Sequence, residues 1–133
     1  MTLIRPLLCI ALTVTSLACS NSNSPGPGLR TGIWGGPRVG LSVEATRVNF
    51  LFDCASGAVE NRIPVVADGR FDVTGTFSGA GNAPGSDHSQ HPARYVGRIA
   101  GTHITFTRVL LDGTVPDASF AADFGAAPSI VAC

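Results

Sequence analysis

Apolar and polar residues alternate along most of the chain after Gly32. Large apolar residues occupy every second position, and small or polar residues lie between them. A period of two is typical of β-strands that have one buried face and one solvated face. The segments with this pattern are 39–45, 48–54, 71–77, 94–99, 102–110 and 118–124, with weaker versions at 58–66 and 129–133.

Turn-forming residues separate these segments. Asp68-Gly69 and Asp112-Gly113 tolerate the positive φ angles of tight turns, and 55–57 and 125–128 are rich in small residues, Gly or Pro. Strands joined by short turns pair antiparallel with their neighbours. We therefore expect an all-β fold of about eight antiparallel strands in an up-and-down meander that closes into a small barrel, with a β-sandwich as the alternative.

The residues 78–92 form the one long connection in this pattern. Loops of this length are uncommon in compact domains and are either functional or merely mobile. Asp87, His88 and His91 lie in it and make it the candidate partner loop. Carboxylate and imidazole could also hold zinc, but the flanking Gly and Pro residues favour a solvated polar loop, so we predict no metal site.

The aromatic residues indicate a packed interior. All seven Phe residues fall on the inward parity of their strands, and rings of that size fill a small barrel. The alternative is a ligand cavity, whose candidate lining is Trp34, Phe50, Phe52, Phe77, Tyr95 and Phe106. Arg108 shares the inward parity of Phe106 and Leu110, and we expect it to lie at the strand end with its charged group in water.

The N-terminus has the features of an export signal. Arg5 precedes an apolar run, and small residues end it at Ala18-Cys19. The segment resembles a bacterial lipoprotein signal, which implies a signal peptide over 1–18 and lipid attachment at Cys19; ordinary cleavage after Ala18 is the alternative. By the same resemblance, Ser20 favours the outer membrane, facing the periplasm or the cell surface.

A tether and one folded domain follow. Residues 19–31 are rich in Ser, Asn, Gly and Pro, which predicts a flexible tether, and 32–133 form the β-barrel domain. With Cys9 in the signal and Cys19 lipidated, Cys54 and Cys133 remain, and two such thiols in an exported protein should form a disulfide. A redox-active pair lacks support, because no Cys-x-x-Cys spacing occurs.

The amino-acid composition excludes several classes of function. The 133-residue chain has nine Arg, no Lys, and a net charge of zero, so it lacks the positive charge that a nucleic-acid partner requires. The missing Lys excludes a P-loop and Schiff-base chemistry. No Gly-x-Ser-x-Gly motif is present. We therefore expect no enzyme, no cofactor and no nucleic-acid binding.

Two resemblances complete the picture. Gly32-Ile33-Trp34 resembles the Gly-x-Trp signature of lipocalin and avidin-type barrels. Most of the domain is similar to a family of small uncharacterised bacterial lipoproteins, with Gly-x-Trp-Gly-Gly at 32–36, Cys-Ala-x-Gly at 54–57, Asp-Gly-Arg-Phe at 68–71 and a terminal Cys133. The resemblance carries no known activity. We expect a non-enzymatic envelope lipoprotein that presents loops to a protein or glycan partner, with lipocalin-like binding of a small hydrophobic ligand as the alternative.

Overall fold

The computed structural model describes residues 28–79 and 88–133, and these residues form an all-β domain. None of them forms a helix that is long and apolar enough to cross a membrane. The strands are β1 (Gly32–Gly36), β2 (Val39–Val43), β3 (Val48–Phe52), β4 (Ala55–Val59), β5 (Arg70–Gly79), β6 (His91–Ala100), β7 (His103–Leu110) and β8 (Ala118–Phe124).

The eight strands make one closed barrel in sequence order. Each strand pairs antiparallel with the next one along the chain, as in the β5–β6 ladder from Arg70↔Arg98 to Phe77↔His91. The first and last strands close the sheet through Trp34↔Phe124 and Gly35↔Asp123. The predicted meander and barrel are confirmed, and the sandwich alternative is excluded because the first and last strands of the sheet pair with each other.

The alternation in the sequence accounts for the core. Five of the phenylalanines are buried, and Phe120 and Phe124 are partly buried and pack against the same cluster. Their intervening neighbours, such as Leu51, Asp72 and Ser119, are on the outer face and are exposed. The prediction that all seven Phe side chains face inward is confirmed.

Residues before β1 close one end of the barrel, which we call the lower end. Leu29 is buried there, and its amide donates a hydrogen bond to the carbonyl of Ile63 at 3.0 Å. Trp34 donates from Nε1 to the carbonyl of Arg30, whose guanidinium lies 3.9 Å from the centre of the Phe124 ring. The folded part therefore already includes Leu29, three residues before the boundary at residue 32 that the sequence predicted.

The opposite end, the upper end, carries the turn at 37–38, the turn at 53–54, the start of β6 and the connection 111–117. The C-terminal segment 125–133 reaches this end along the outside of β1. Its Ser129 bonds with Gly36 and Arg38 through the backbone, and its Val131 amide donates to Asp53 at 2.8 Å. The predicted disulfide joins Cys133 to Cys54, whose Cα atoms are 5.2 Å apart.

Several predicted segment boundaries are wrong. The strand expected at 58–66 ends at Val59 as part of β4, and β1 was not among the predicted segments. The turn expected at 55–57 is the start of β4, because the chain reverses one step earlier at Asp53 and Cys54, with a φ of 53° at Cys54. The strand expected at 129–133 makes only an isolated bridge between Ser129 and Pro37. The connection expected at 78–92 is shorter at both ends, since β5 continues to Gly79 and β6 begins at His91.

Candidate functional site at the upper end of the barrel

Arg108 is the most unusual residue of the upper end. It lies two residues before the end of β7, between Tyr95 on β6 and Ala118 on β8 in the sheet register. Its side chain faces the interior and the residue is only 6% exposed. The expectation that its charged group reaches water is wrong, because the connection 111–117 folds over the strand end.

The guanidinium of Arg108 is incompletely hydrogen-bonded. Nη2 donates to the carbonyl oxygen of Pro116 at 3.1 Å, whereas Nε is buried and has no partner. Buried polar atoms without a partner are rare in folded proteins, and each one calls for an explanation. Arg108 is therefore the first place to look for a binding role.

Aromatic rings surround this cation. The guanidinium carbon is 4.3 Å from the centre of the Phe77 ring, 5.6 Å from that of Phe52 and 5.9 Å from that of Phe120. Ring faces attract cations, and the attraction strengthens when water is excluded. Burial nevertheless lowers the pKa of Arg108 from its usual value, and electrostatic interactions with Tyr95 and Asp117 oppose that shift. The positive charge is held by aromatic faces and one carbonyl.

The six residues named as a candidate ligand lining pack against one another. Trp34 is separate from the rest and makes an edge-to-face contact with Phe124 at 5.3 Å. The other five form one aromatic cluster, in which Tyr95 stacks on Phe50 at 4.2 Å and Phe52 contacts Phe77 and Phe106. All six are buried: Trp34, Phe50, Phe52, Phe77, Tyr95 and Phe106. Their mutual contacts fill the centre of the barrel.

A polar cluster lies on the rim next to Arg108. His91 pairs with Phe77 in the sheet register, on the inward side of β6, and its Nδ1 is 2.7 Å from Oδ2 of Asp112. Oδ1 of Asp112 accepts hydrogen bonds from the amide and the hydroxyl of Thr114, at 3.1 and 2.7 Å. The bonds from His91 and Thr114 lower the pKa of Asp112 to about 2. Asp112 is thus ionised and fixed in place at neutral pH.

Asp112 and Thr114 were not among the predicted site residues. The signal was present in the sequence, because an Asp two residues before a Thr readily forms a turn in which its carboxylate caps the following backbone and hydroxyl groups. The sequence does not show that this turn lies against His91, which is distant along the chain. The contact arises from the β6–β7 pairing, in which Ala93 lies opposite Leu110.

Ser89, His91 and Asp112 follow one another in hydrogen-bond contact. Ser89 Oγ lies 3.3 Å from Nε2 of His91, on the opposite side of the ring from Asp112. Serine hydrolases use this order of groups, with the carboxylate orienting the imidazole that activates the hydroxyl. Ser89 is exposed to solvent, however, and hydrolase sites gain their power from preorganised dipoles in a water-excluded setting.

The remaining predicted site residues are only partly placed. His88 is exposed, and its carbonyl accepts a hydrogen bond from Ser78 at 2.9 Å. Asp87 and Cys19 lie outside the described residues. Within 28–79 and 88–133, no group of three or more His, Cys, Asp or Glu residues could hold a metal ion.

A second surface of interest is a groove of about 450 Å³ on the outside of β1 to β5. Its apolar part includes Ile33 and Leu51, which are 48% and 52% exposed. Small residues at Gly40, Ser42 and Ala58 leave the space, and Pro128 borders it. The groove is open to the outside of the sheet, and Ser78 and Gln90 line the part of it that is nearest to the upper end.

Comparison of the chain with protein-family models, with curated proteins and with solved structures finds no match.

Proposed function

We propose that this chain is a non-enzymatic envelope lipoprotein that is anchored through Cys19 and presents the upper end of its barrel to a protein or glycan partner. The observation that carries the proposal is the ordered polar cluster of His91, Asp112 and Thr114 on the rim of a barrel whose centre is filled. Binding residues commonly lie on loops that a rigid scaffold positions. Such a rim offers donors and acceptors in a fixed arrangement.

The two ends of the barrel differ in a way that supports this assignment. The lower end is closed by apolar packing of Leu29, Ile63 and Trp34. The upper end carries the polar cluster, the incompletely bonded Arg108, the end of β5 and the start of β6. The chain also enters the described domain at the lower end, so an anchor at the N-terminus leaves the upper end free for a partner.

A photo-crosslinking experiment tests the choice of surface. A photoreactive amino acid replaces Leu111 at the upper end, Thr102 at the lower end or Leu51 in the outer groove, one at a time, in the full chain in cells. All three residues are exposed, so none of the replacements disturbs the core. We expect defined crosslinked adducts from position 111 and none from position 102.

The three positions separate the possible outcomes. Adducts from position 51 alone would assign partner binding to the groove and contradict the proposal. Equal labelling from all three positions would show non-specific contact and would also count against it.

The alternative function, lipocalin-like binding of a small hydrophobic ligand, is supported by one observation. Arg108 is buried and its Nε has no hydrogen-bond partner. The centre of the barrel is occupied by its own aromatic side chains, and four concave regions of the described residues lie on its outer surface. A small-molecule role is therefore better supported at the upper end than deep in the interior.

A further inference from the structure

Arg108 has no ion-pair partner among the residues that the structure describes. Four other arginines of the described residues form ion pairs on the surface, as Arg38 does with Asp53 and Arg94 with Asp72. No carboxylate within 28–79 and 88–133 forms such a pair with Arg108. Asp117 acts on it only through space and is itself exposed. A buried cation is strongly destabilised unless it is paired and hydrogen-bonded, so the site is incomplete as it stands.

The free donors point to a planar anion. Guanidinium carries five N–H donors in a rigid fork that matches the two oxygens of a carboxylate. Nε of Arg108 has no partner, and the Pro116 carbonyl uses only one direction at Nη2. The Nε and Nη2 edge can therefore donate to both oxygens of one carboxylate.

The aromatic rings around the Nε and Nη2 edge determine which kind of ligand can bind there. Phe52, Phe77 and Phe120 place ring faces around the guanidinium. Such walls offer apolar contact and few hydrogen bonds, which disfavours a doubly charged or heavily hydrated anion such as phosphate. A single negative charge on an apolar body matches both the cation and the rings.

We propose that Arg108 binds the carboxylate of a small apolar monocarboxylic acid at the upper end of the barrel. The acid places its two oxygens on Nε and Nη2 and its apolar body against the rings of Phe77 and Phe120. This site goes beyond the partner-binding role and does not depend on it.

The test uses the wild-type protein and benzoate as the probe. Benzyl alcohol has the same ring without the charge, and inorganic phosphate has charge without the ring. We expect benzoate to shift the Nε–Hε resonance of Arg108 saturably in a ¹H–¹⁵N spectrum, and benzyl alcohol and phosphate to leave it in place. Absence of a saturable benzoate shift, or an equal shift with phosphate, would overturn the proposal.

Variants separate binding from a purely structural role of Arg108. Arg108→Lys keeps the charge but removes the fork, and we expect it to lose about tenfold to hundredfold in benzoate affinity, as expected for charge-assisted hydrogen bonds. Arg98→Gln changes an exposed arginine on the outside of β6 and should bind benzoate as the wild type does.

Thermal unfolding gives a second readout. At about 100 times its dissociation constant, benzoate should raise the Tm of the wild type and of Arg98→Gln by about 10 °C, and that of Arg108→Leu not at all. A structural role alone would lower the Tm of Arg108→Leu without any benzoate response in the wild type. If Arg108→Leu does not fold, the Arg108→Lys affinity and the wild-type resonance decide the question.

Discussion

Tyr95 shows how one polar atom is accommodated in the centre of the barrel. Its ring stacks on Phe50, and its hydroxyl donates to the carbonyl of Thr76 at 2.7 Å. The hydroxyl passes directly over Gly57, where an added Cβ would collide with it. Burial also raises the pKa of Tyr95, so the hydroxyl stays protonated and remains a donor at pH values where an exposed tyrosine would ionise. Gly57 is therefore required by packing, although it looks like a turn residue in the sequence.

This contact predicts a rescue experiment. Gly57→Ala should lower the free energy of unfolding by about 1–3 kcal/mol, because the new methyl group overpacks the core against the Tyr95 hydroxyl. Tyr95→Phe removes that hydroxyl, so the double variant should lose less than the sum of the two single losses. Urea denaturation measures all three. Ser56→Ala, on the outer face of the same strand, is the control and should change stability little. If the losses of Gly57→Ala and Tyr95→Phe are strictly additive in the double variant, the packing argument is contradicted.

Asp112 predicts how stability depends on acid. Its pKa, about 2 in the folded protein, lies below the ordinary value of an unfolded chain. A depressed pKa stabilises the fold above the unfolded value, and the stabilisation disappears as the pH falls through the folded value. We expect wild-type stability to fall between pH 4 and pH 2, and Asp112→Asn to show a smaller fall over the same interval.

Urea midpoints at pH 5 and pH 2.5 measure this difference. Asp123→Asn is the matched control, because Asp123 forms the other histidine pair, with His103, and is 61% exposed. It should retain the acid dependence of the wild type. An Asp112→Asn variant with an unchanged pH 5 to pH 2.5 difference would show that Asp112 does not contribute.

The inward position of Arg108 could be predicted from parity, but its burial could not. Arginines at strand ends usually extend into water, as long side chains do when the strand end is open. Here the connection 111–117 covers the strand end, and the rings around the cation come from β3, β5 and β8. None of these contacts is visible in the local pattern around residue 108.

At the scale of strands and turns, residues with positive φ decide where the chain reverses. Arg38 and Cys54 adopt φ angles of 64° and 53° at the two upper turns, without glycine. The sequence rules favour glycine for such angles, which explains why the reversal after β3 was predicted at 55–57 instead of 53–54. The predicted turn at Asp68-Gly69 is confirmed, with a φ of 87° at Gly69.

The C-terminal segment depends on the upper turn to which it is bonded. Asp53 accepts a hydrogen bond from the Val131 amide and pairs with Arg38, and these bonds lower its pKa. The disulfide then fixes Cys133 to Cys54 across a sequence separation of 79 residues. In the chain-entropy account, a loop of this length contributes about 4.5 kcal/mol by restricting the unfolded chain.

We therefore expect Cys133→Ser to lower the free energy of unfolding by about 2–4.5 kcal/mol. Reduction of the wild type should produce the same loss, because both changes open the same loop. Urea denaturation with and without reductant measures it, and reductant should have no effect on Cys133→Ser. A stable wild type under reducing conditions would show that the backbone bonds of 126–131 hold the segment without the disulfide.

At the scale of the whole molecule, the barrel could be predicted because alternation and turn spacing are local properties that recur in every strand. The register was also constrained, since a slip by one residue would expose every phenylalanine. The upper-end site could not be predicted, because Arg108, His91 and Asp112 meet only after the strands close. Sequence patterns thus indicated the scaffold, and the structure was needed to show which charged groups it brings together.

The position of Gly28 limits how far the lower end of the barrel can lie from an anchor at Cys19. Gly28 bridges to Pro64 at the lower end, and Cys19 precedes it by nine residue spacings, which span at most about 30 Å. A lipid on Cys19 would therefore hold Gly28, at the lower end, within about 30 Å of the membrane surface. The proposed partner surface lies at the opposite end of the barrel from Gly28, where the described part of the chain begins after residue 27.

This arrangement requires acylation of Cys19, which metabolic labelling can detect. Cells that express the full chain and grow with an alkyne fatty acid should yield labelled wild-type protein in the membrane fraction. Cys19→Ser should be unlabelled and should leave that fraction, whereas Cys9→Ala, which alters only the predicted signal, should remain labelled. If Cys19→Ser is still labelled, or if the wild type is not labelled, Cys19 is not the lipid anchor. The structure would then give no reason for the upper end to face away from a membrane.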